Sequence, residues 1–235
     1  GGYGYHRILG GELRNGKLSV GGANTLNYVK NIGVMDMFGG KVTVDDWGLF
    51  VGRGRGAGAL NIFSGSYGGG NSGGIITMAY NNGGITAQVN LLGPDAKLFD
   101  RGASSYHKSI ELSFGTGNDL SVVNLNNGEM TLDAAYAKYD TTPTHFNFNG
   151  GLLKPFRDAS RLLNGTLTAA YVRERGARID TAGHSPKMAQ PLIAPTDYGV
   201  SAIALASGGS GYIGAPGVLV SGGTGVGATA IALVD

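Results

Sequence analysis

Cysteine is absent from this 235-residue chain, and charged side chains are scarce. Without cysteine, neither a disulfide framework nor a thiolate metal site can form. Asp, Glu, Lys and Arg make up only 14% of the residues, whereas a typical protein has about 25%. The net charge of +2 gives no electrostatic footprint for nucleic acid. The net charge therefore excludes a nucleic-acid partner. The scarcity of charge, together with many Gly, Asn, Ser and Thr residues, favours an extracellular surface, or a polymer packed against its own copies, over a cytosolic enzyme.

Long apolar runs are also missing. No stretch approaches the roughly 18 residues that a transmembrane helix needs, so no membrane-spanning segment is predicted. The first residues, Gly1-Gly2-Tyr3-Gly4, have neither the basic nor the apolar region of a signal peptide. The chain starts without Met and in mid-pattern, which indicates a mature or excised piece of a longer protein.

Glycine is abundant, with 44 residues, well over twice the usual share of about 7%. No third-residue period holds, so the pattern is not that of collagen. Instead, Gly-Gly and Asn-Gly separate short runs in which apolar and polar residues alternate, which is typical of β-strands with one side in a core. These runs cover residues 41–44, 60–63, 85–91, 109–114, 129–132, 145–148, 166–168 and 200–205.

The turn residues leave two all-β architectures open. Asn-Gly occurs five times, at Asn15-Gly16, Asn82-Gly83, Asn127-Gly128, Asn149-Gly150 and Asn164-Gly165. Both residues tolerate positive φ, which tight turns require. Asn-Gly is typical of antiparallel hairpins, but it also suits the corners of a β-solenoid. The spacing of the strands fits either a solenoid or an antiparallel β-sandwich.

Helical signal is confined to residues 155–163, where Pro155 lies at the start and Asn164-Gly165 lies just past the end. This pattern predicts a helix of about two turns, serving as a connector or lid. Residues 132–139 are interpreted as strand. A composition shift near residue 191, beyond which Ala, Gly, Val and Ser dominate, predicts two units: β-solenoid repeats over 1–190 and a Gly/Ala/Val-rich β module over 191–235.

Two glycine motifs mimic a dinucleotide-binding loop. Residues 52–57 read Gly-Arg-Gly-Arg-Gly-Ala after an apolar run, and residues 223–228 repeat the spacing. Pyrophosphate binding needs a helix to follow, but residues 58–63 read as a strand. We therefore expect a solenoid corner, with Arg53 and Arg55 as solvated turn charges or as contacts for an anionic glycan or lipid.

Other catalytic and metal-binding patterns are weak. The histidines (His6, His107, His145 and His184) have no local zinc spacing. Glycoside hydrolysis needs two acids about 5 to 10 Å apart, but Asp45 and Asp46 are adjacent and would point to opposite sides of a strand. The remaining acids considered, Asp95, Asp100, Glu111 and Asp133, are scattered. No Gly-x-Ser-x-Gly elbow precedes a helix, and Ile213 stands where a calcium-binding repeat needs Asp.

The sequence therefore predicts no catalytic residue, no cofactor-binding residue, no metal ligand and no cofactor, and the chain is expected not to be an enzyme. Tyrosines are the remaining candidates for binding, since exposed Tyr can stack on sugars or join subunit contacts. Most lie beside turns, where packing at corners is the favoured interpretation: Tyr3, Tyr5, Tyr67, Tyr80, Tyr106, Tyr136, Tyr139, Tyr171, Tyr198 and Tyr212.

Two stretches of the chain resemble autotransporter-associated β-strand repeat proteins, which are passenger-type surface proteins of environmental bacteria. The first stretch reads Trp-Gly-Leu-Phe-Val-Gly over 47–52, followed by a glycine-rich turn, Gly-Ala-Leu-Asn-Ile over 58–62 and Ser-Gly-Ser over 64–66. The second comprises blocks at 146–154, 176–183, 189–192, 208–216 and 222–230. The resemblance covers about residues 40–70 and 145–235, whereas residues 92–144 show no clear repeat.

This resemblance implies a secreted parallel β-solenoid (β-helix) with a structural or adhesive role at the bacterial cell surface. Each rung of a solenoid buries its apolar side only against its neighbours, and terminal rungs expose strand edges. We therefore expect an extracellular fibre subunit or passenger that self-assembles through strand edges, with other copies of itself and surface glycans as partners. The alternatives are a carbohydrate-active β-helix enzyme or phage tailspike-like protein, and a carbohydrate-binding β-sandwich module.

Overall fold

The computed structural model describes residues 2–22, 30–69, 75–80, 85–99, 108–115, 119–139, 142–196, 199–200 and 202–234. These residues form strands and no helix. Among them, therefore, nothing resembles a membrane-crossing helix. The strands are β1 (Tyr3–Ile8), β2 (Glu12–Gly22), β3 (Ile32–Arg53), β4 (Ala57–Gly69), β5 (Ile75–Tyr80), β6 (Thr86–Leu91), β7 (Ala96–Leu98), β8 (Ser109–Leu112), β9 (Leu120–Leu125), β10 (Glu129–Leu132), β11 (Ala134–Ala137), β12 (Thr144–Phe148), β13 (Leu152–Pro155), β14 (Ala169–Val172), β15 (Arg178–Ile179) and β16 (Leu192–Ile193).

The strands form a parallel β-solenoid with three faces. The first face stacks β1, the start of β3, the start of β4, β6, β9, β12, β14 and β16. The second stacks the start of β2, the middle of β3, the end of β4, β7, β10, β13 and β15. The third stacks the ends of β2 and β3, then β5, β8 and β11. Every described strand pair is parallel, which confirms the solenoid and excludes the antiparallel sandwich.

The core consists of columns of apolar side chains that are aligned from coil to coil. On the first face, one column contains Met37, Ile62, Leu91, Leu125 and Phe148, which are register partners in succession. All five are completely buried. Burying one such side chain contributes about 1.5–3 kcal/mol. Because each coil covers the apolar side chains of its neighbours, every added coil increases the stability of the stack.

The Asn-Gly pairs in the described part of the chain form corners rather than hairpins. Gly128, Gly150 and Gly165 have φ values of +70°, +97° and +81°, and the first two turn the chain from the first face to the second. At Gly128 a Cβ would also collide with the carbonyl oxygen of Ala96 in the preceding coil. Asn15-Gly16 lies at a register irregularity within β2, and Asn82-Gly83 lies outside the described residues.

The helix predicted over residues 155–163 is wrong. After β13 the chain makes a corner in which Ser160 Oγ accepts from the Arg157 amide at 2.9 Å. Arg161 then forms β-bridges with Ala134 and Lys187 on the third face, and Leu162 and Leu163 enter the core. A nine-residue helix is only marginally stable alone. Burying the two leucines between stacked coils therefore stabilises the chain more than forming that helix would.

Two predicted strands also differ. At residues 166–168 the strand starts later, at Ala169, because Thr144 and Thr168 exchange backbone-to-hydroxyl hydrogen bonds of 3.0 Å where ladder bonds would otherwise form. The run at 200–205 forms no strand in its described residues. The strand interpretation of 132–139 is confirmed in β10 and β11, with Asp133 at the corner between them.

Part of the chain after β16 lies on the outside of the solenoid. Residues 214–232, here named the strap, lie over the outer side of the first face without forming a strand. Gly214 lies against the ring of Tyr5 and Gly217 against Ile32, whereas Gly227 lies against His145. The Tyr3 hydroxyl donates to the Ala215 carbonyl. The strap therefore extends from the first coil to the coil that contains β12.

Candidate functional site

A ladder of hydrogen-bonded side chains, one carboxylate followed by four amides, runs along the outer side of the first face. Asn61 Nδ2 donates to Asp36 Oδ1 at 2.8 Å. Asn90 donates to Asn61 and Asn124 to Asn90, both at 2.7 Å, and Asn147 donates to Asn124 at 2.8 Å. We name Asp36, Asn61, Asn90, Asn124 and Asn147 the amide ladder.

Local sequence places each member of the ladder. Every one stands between two apolar residues that point into the core, as in Leu60-Asn61-Ile62 or Phe146-Asn147-Phe148. Alternation then directs the polar side chain outward, and parallel register aligns it with the next coil. The predictions missed this ladder, although an Asn or Asp flanked by two core residues in each run was the available signal.

The strap shields the ladder from water. Asp36, Asn61, Asn90 and Asn147 are between 2% and 5% exposed although they point away from the core. Val34 and Val122 are also buried on this side, outside the main core cluster. Asn124 Nδ2 makes a further hydrogen bond of 3.2 Å to Thr229 Oγ1 of the strap. Because buried amides are costly unless they are paired, the ladder and its cover stabilise each other.

Charged and phenolic groups terminate the ladder. At one end the Tyr5 hydroxyl donates to Asp36 Oδ2 at 2.9 Å. Burial, together with this hydrogen bond, raises the pKa of Tyr5 to about 12. At the other end Arg173 donates from Nε and Nη2 to Asn147 Oδ1, at 3.2 and 3.0 Å. The row is thus anionic at its first described end and cationic at its last.

A second row, on the third face and its corner, consists of aromatic rings. Phe50 and Tyr80 meet edge to face at 5.2 Å, Tyr80 and Phe114 stack at 4.8 Å, and Phe114 and Tyr139 meet at 6.1 Å. Cations lie over ring faces: Lys17 and Arg53 over Phe50, Arg53 over Tyr80, and Lys138 over Phe114. The rings of Phe50, Tyr80 and Phe114 pack against one another or against cations, which leaves little of their faces for a sugar. Tyr139, at the end of the stack, is 40% exposed.

The carboxylates considered for catalysis are bound to separate partners. Arg14 pairs with Asp45 at 2.6 Å, and Arg157 pairs with Asp133 at 2.8 Å. Glu111 accepts from Thr77 at 3.3 Å and from the Tyr136 hydroxyl. Burial and the Glu111 hydrogen bond raise the pKa of Tyr136.

Two further acids lie at corners, where Asp46 and Asp95 are exposed. Asp100 lies outside the described residues. Three of the candidate acids, Asp45, Glu111 and Asp133, are therefore held by different side chains.

The glycine motif at residues 52–57 is a corner. Gly52 and Gly54 have φ values of +71° and +70°, and the Gly56 amide donates to the Arg53 carbonyl at 3.1 Å. β4 begins at Ala57, so a strand and not a helix follows. Arg53 is held over two rings of the aromatic stack, and Arg55 is exposed at the corner. The copy at 223–228 lies in the strap, again without a helix.

The described histidines lie apart. His6 is exposed on β1, and His184 Nδ1 lies 3.1 Å from Asp158 on the surface. His145 is 4% exposed beneath the strap, where burial and then the charge of Arg173 lower its pKa. His107 lies outside the described residues. Within the described part of the chain, no cluster of three or more His, Asp and Glu residues could hold a metal ion.

The tyrosines take several roles. Tyr67 is completely buried in the core, which raises its pKa. Tyr3 and Tyr5 contact the strap, and Tyr171 meets His145 edge to face at 5.6 Å. Tyr212 is 49% exposed, and Tyr106 and Tyr198 lie outside the described residues.

A cavity of about 140 Å³ lies between the strap and the first face. Its floor includes Val34, Ala59 and Gln88, which are register partners on β3, β4 and β6. Its roof is formed by two parts of the strap, residues 216–219 and 230–232. Lys30 and Arg55 also line it, and both are exposed. The cavity therefore combines an apolar interior with cationic side chains.

Comparison of the chain with models of protein families, with curated proteins and with solved structures finds no match in any of the three.

Proposed function

We propose that the chain is a secreted structural or adhesive surface protein, passenger-like or a fibre subunit, that self-assembles through strand edges. The observation that carries this proposal is the edge of β1. β1 pairs with β3 along one edge, and its opposite edge carries no ladder among the described residues. An unpaired edge is a template for a strand of another chain.

The geometry of β1 identifies the groups on this edge. The Ile32 amide donates to the Gly2 carbonyl at 2.9 Å, and Tyr3 is the register partner of Ile32. In a parallel ladder the backbone groups of successive residues point to alternate edges. Gly4 and His6 therefore pair with β3, whereas the backbone groups of Tyr3, Tyr5 and Arg7 point outward.

Composition and fold support the location and role. Low charge suits a protein built outside the cell, and stacked coils supply cooperativity, so that such a protein can do without disulfides. The fold presents long, regular faces, as expected of a scaffold. The resemblance to autotransporter-associated repeats points the same way. Glycans remain a proposed partner, but the aromatic stack adds little support for sugar stacking because Phe50, Tyr80 and Phe114 pack against other rings or cations.

The edge proposal is tested with Arg7→Pro and its matched control Arg7→Ala. Both variants lose the Arg7 contact with the Phe38 ring, 5.0 Å away, but only proline removes the outward amide donor. Sedimentation velocity and electron microscopy over a concentration series should show association in the parent and in Arg7→Ala, and its loss in Arg7→Pro. Dispersed parent molecules at every concentration, or equal association in both variants, would refute edge pairing.

The location is tested separately. Intact producing cells are treated with a membrane-impermeant amine reagent, and the labelling of exposed lysines such as Lys17 is compared with that of a cytosolic marker. Labelling of the chain alone supports surface display. Protection of both proteins until lysis refutes it.

A further inference from the structure

We propose that Asn15-Gly16 is a site of spontaneous covalent modification, at which Asn15 loses ammonia and becomes aspartate or isoaspartate. This inference is independent of self-assembly. Four of the five Asn-Gly pairs lie in the described part of the chain. Three of them lie between stacked coils, whereas Asn15-Gly16 lies in the first coil, and this difference in placement carries the proposal.

The reaction needs only the chain and water. The amide nitrogen of Gly16 attacks Cγ of Asn15 and gives up its proton to the solvent. The bond between Cγ and Nδ2 then breaks, ammonia leaves, and a five-membered succinimide ring remains. Water opens this ring at one of its two carbonyls, so the product is aspartate or isoaspartate, and no oxidant or reductant takes part. Glycine favours the attack because no side chain obstructs its nitrogen.

The local structure leaves the reacting groups of Asn15-Gly16 free to approach each other. Asn15 is exposed, and its side chain is not among those held by hydrogen bonds in the described part of the chain. The ladder between β2 and β3 skips Gly16, because its register passes from Asn15 and Val44 to Lys17 and Gly48. No described strand pairs with the other edge of β2. Opening this corner locally therefore breaks few interactions.

At Asn149-Gly150, in contrast, both reacting groups are held. The Gly150 amide, which would have to attack, donates to the Gly176 carbonyl at 2.9 Å. Asn149 Oδ1 accepts from the Arg175 amide at 3.2 Å, and Asn149 Nδ2 donates to Asn126 Oδ1 at 3.5 Å. The side chain of Asn149 cannot turn its Cγ toward the Gly150 nitrogen until these hydrogen bonds break.

Asn127-Gly128 is restrained in a similar way. Asn127 Nδ2 donates to the Leu92 carbonyl at 2.9 Å, and Asn127 Oδ1 accepts from Arg175 Nη1 at 3.3 Å. Having to break two hydrogen bonds before the attack should slow the reaction by about 5- to 150-fold.

Asn164-Gly165 is an intermediate case. The Asn164 amide donates to the Ala135 carbonyl of the preceding coil at 3.1 Å, and Gly165 lies against Ala189 of the following coil. Opening this pair disturbs two neighbouring coils, whereas opening Asn15-Gly16 disturbs one. We therefore expect Asn15 to react first and Asn164 second.

Modification changes the charge and the backbone of the first coil. The net charge of +2 falls by one unit. The new carboxylate lies at a corner that already holds Asp46, whose Oδ2 would be 2.8 Å from a Cβ at Gly16. Isoaspartate also lengthens the main chain by a methylene group, at a point where the ladder is already irregular.

The test follows each described Asn-Gly pair over time by peptide mass spectrometry. The parent chain is incubated at mildly alkaline pH, because the attacking nitrogen must lose its proton. It is kept dilute, so that association through β1 does not cover the neighbouring β2. Deamidation at Asn15 should be about 5- to 150-fold faster than at Asn127 and Asn149. Electron-transfer fragmentation should identify isoaspartate as well as aspartate at position 15.

Two controls separate the effect of structure from that of sequence. In guanidinium chloride, where the fold is lost, the rates at the four pairs should converge, because each pair then has the same local chemistry. Arg175→Ala removes the side chain that binds Asn127 Oδ1. It should speed deamidation at Asn127 by about 2- to 10-fold and leave the rate at Asn15 unchanged.

Three results would overturn the proposal. The first is a rate at Asn15 in the folded chain that is no higher than the rates at Asn127 and Asn149. The second is the same difference in rate in guanidinium chloride, which would assign it to the flanking sequence. The third is an equal acceleration at Asn15 and Asn127 in Arg175→Ala, which would show that opening of the whole fold sets the rates.

Discussion

Asn90→Ala interrupts the amide ladder at its centre. Asn90 donates to Asn61 Oδ1 and accepts from Asn124 Nδ2, both at 2.7 Å, and is 2% exposed. The alanine leaves the Asn61 acceptor without its donor. Asn124 keeps its 3.2 Å contact with Thr229, so its penalty is partial. At about 1–3 kcal/mol for each buried group left unpaired, the free energy of unfolding should fall by about 2–4 kcal/mol.

The matched control is Asn15→Ala, the same chemical change at an exposed position. It should alter stability by less than about 0.5 kcal/mol. Urea unfolding is followed by far-ultraviolet circular dichroism and by the fluorescence of the single tryptophan, because stacked coils can unfold in steps and two probes reveal this. If Asn90→Ala destabilises the chain no more than Asn15→Ala does, the ladder hydrogen bonds do not stabilise the first face.

Gly128→Ala should cost about 1–3 kcal/mol more than Gly176→Ala in urea unfolding. Both glycines have positive φ, but a Cβ at Gly128 meets the Ala96 carbonyl and one at Gly176 meets no atom within 4 Å; equal losses would show that φ alone matters. In the aromatic stack, a double-mutant cycle of Tyr80→Leu and Phe114→Leu should give a coupling of about 0.5–1.5 kcal/mol, and additive losses would contradict the 4.8 Å stacking. His145 has a lowered pKa in the fold, so the unfolded chain binds its proton more readily. Stability should be complete above the ordinary pKa of 6.5 and fall as the pH drops from there through the folded value. His145→Gln should lose this dependence in thermal unfolding between about pH 7 and 5, and an unchanged profile would place the titration elsewhere.

The strands were predictable because two independent signals agree: apolar and polar residues alternate within each strand, and glycines mark the turns between strands. Residues 85–91, for example, form β6 almost from end to end. The choice between hairpins and corners could not be read from Asn149-Gly150 or its counterparts, since both structures need positive φ at the same residues. Only the pairing of strands decides between them, and pairing depends on the whole chain.

The ladder was hidden by its irregular spacing. Successive members are separated by 25, 29, 34 and 23 residues, because corners of different length intervene between faces of constant register. No fixed repeat is therefore visible in the sequence. The helix prediction for residues 155–163 failed for a related reason. The local preference for a helix there is weaker than the stabilisation gained by burying Leu162 and Leu163 among neighbouring coils.

The bond between Tyr3 and Ala215 joins residues 212 positions apart. The strap, which lies near the C-terminal end of this sequence, therefore binds the first coil through a hydrogen bond. A second hydrogen bond joins Thr229 of the strap to Asn124, several coils farther along the solenoid. Under a pulling force, the first coil cannot be peeled away while the strap holds it. Rupture should begin at the strap and then release several coils together, giving one large extension rather than a series of small ones.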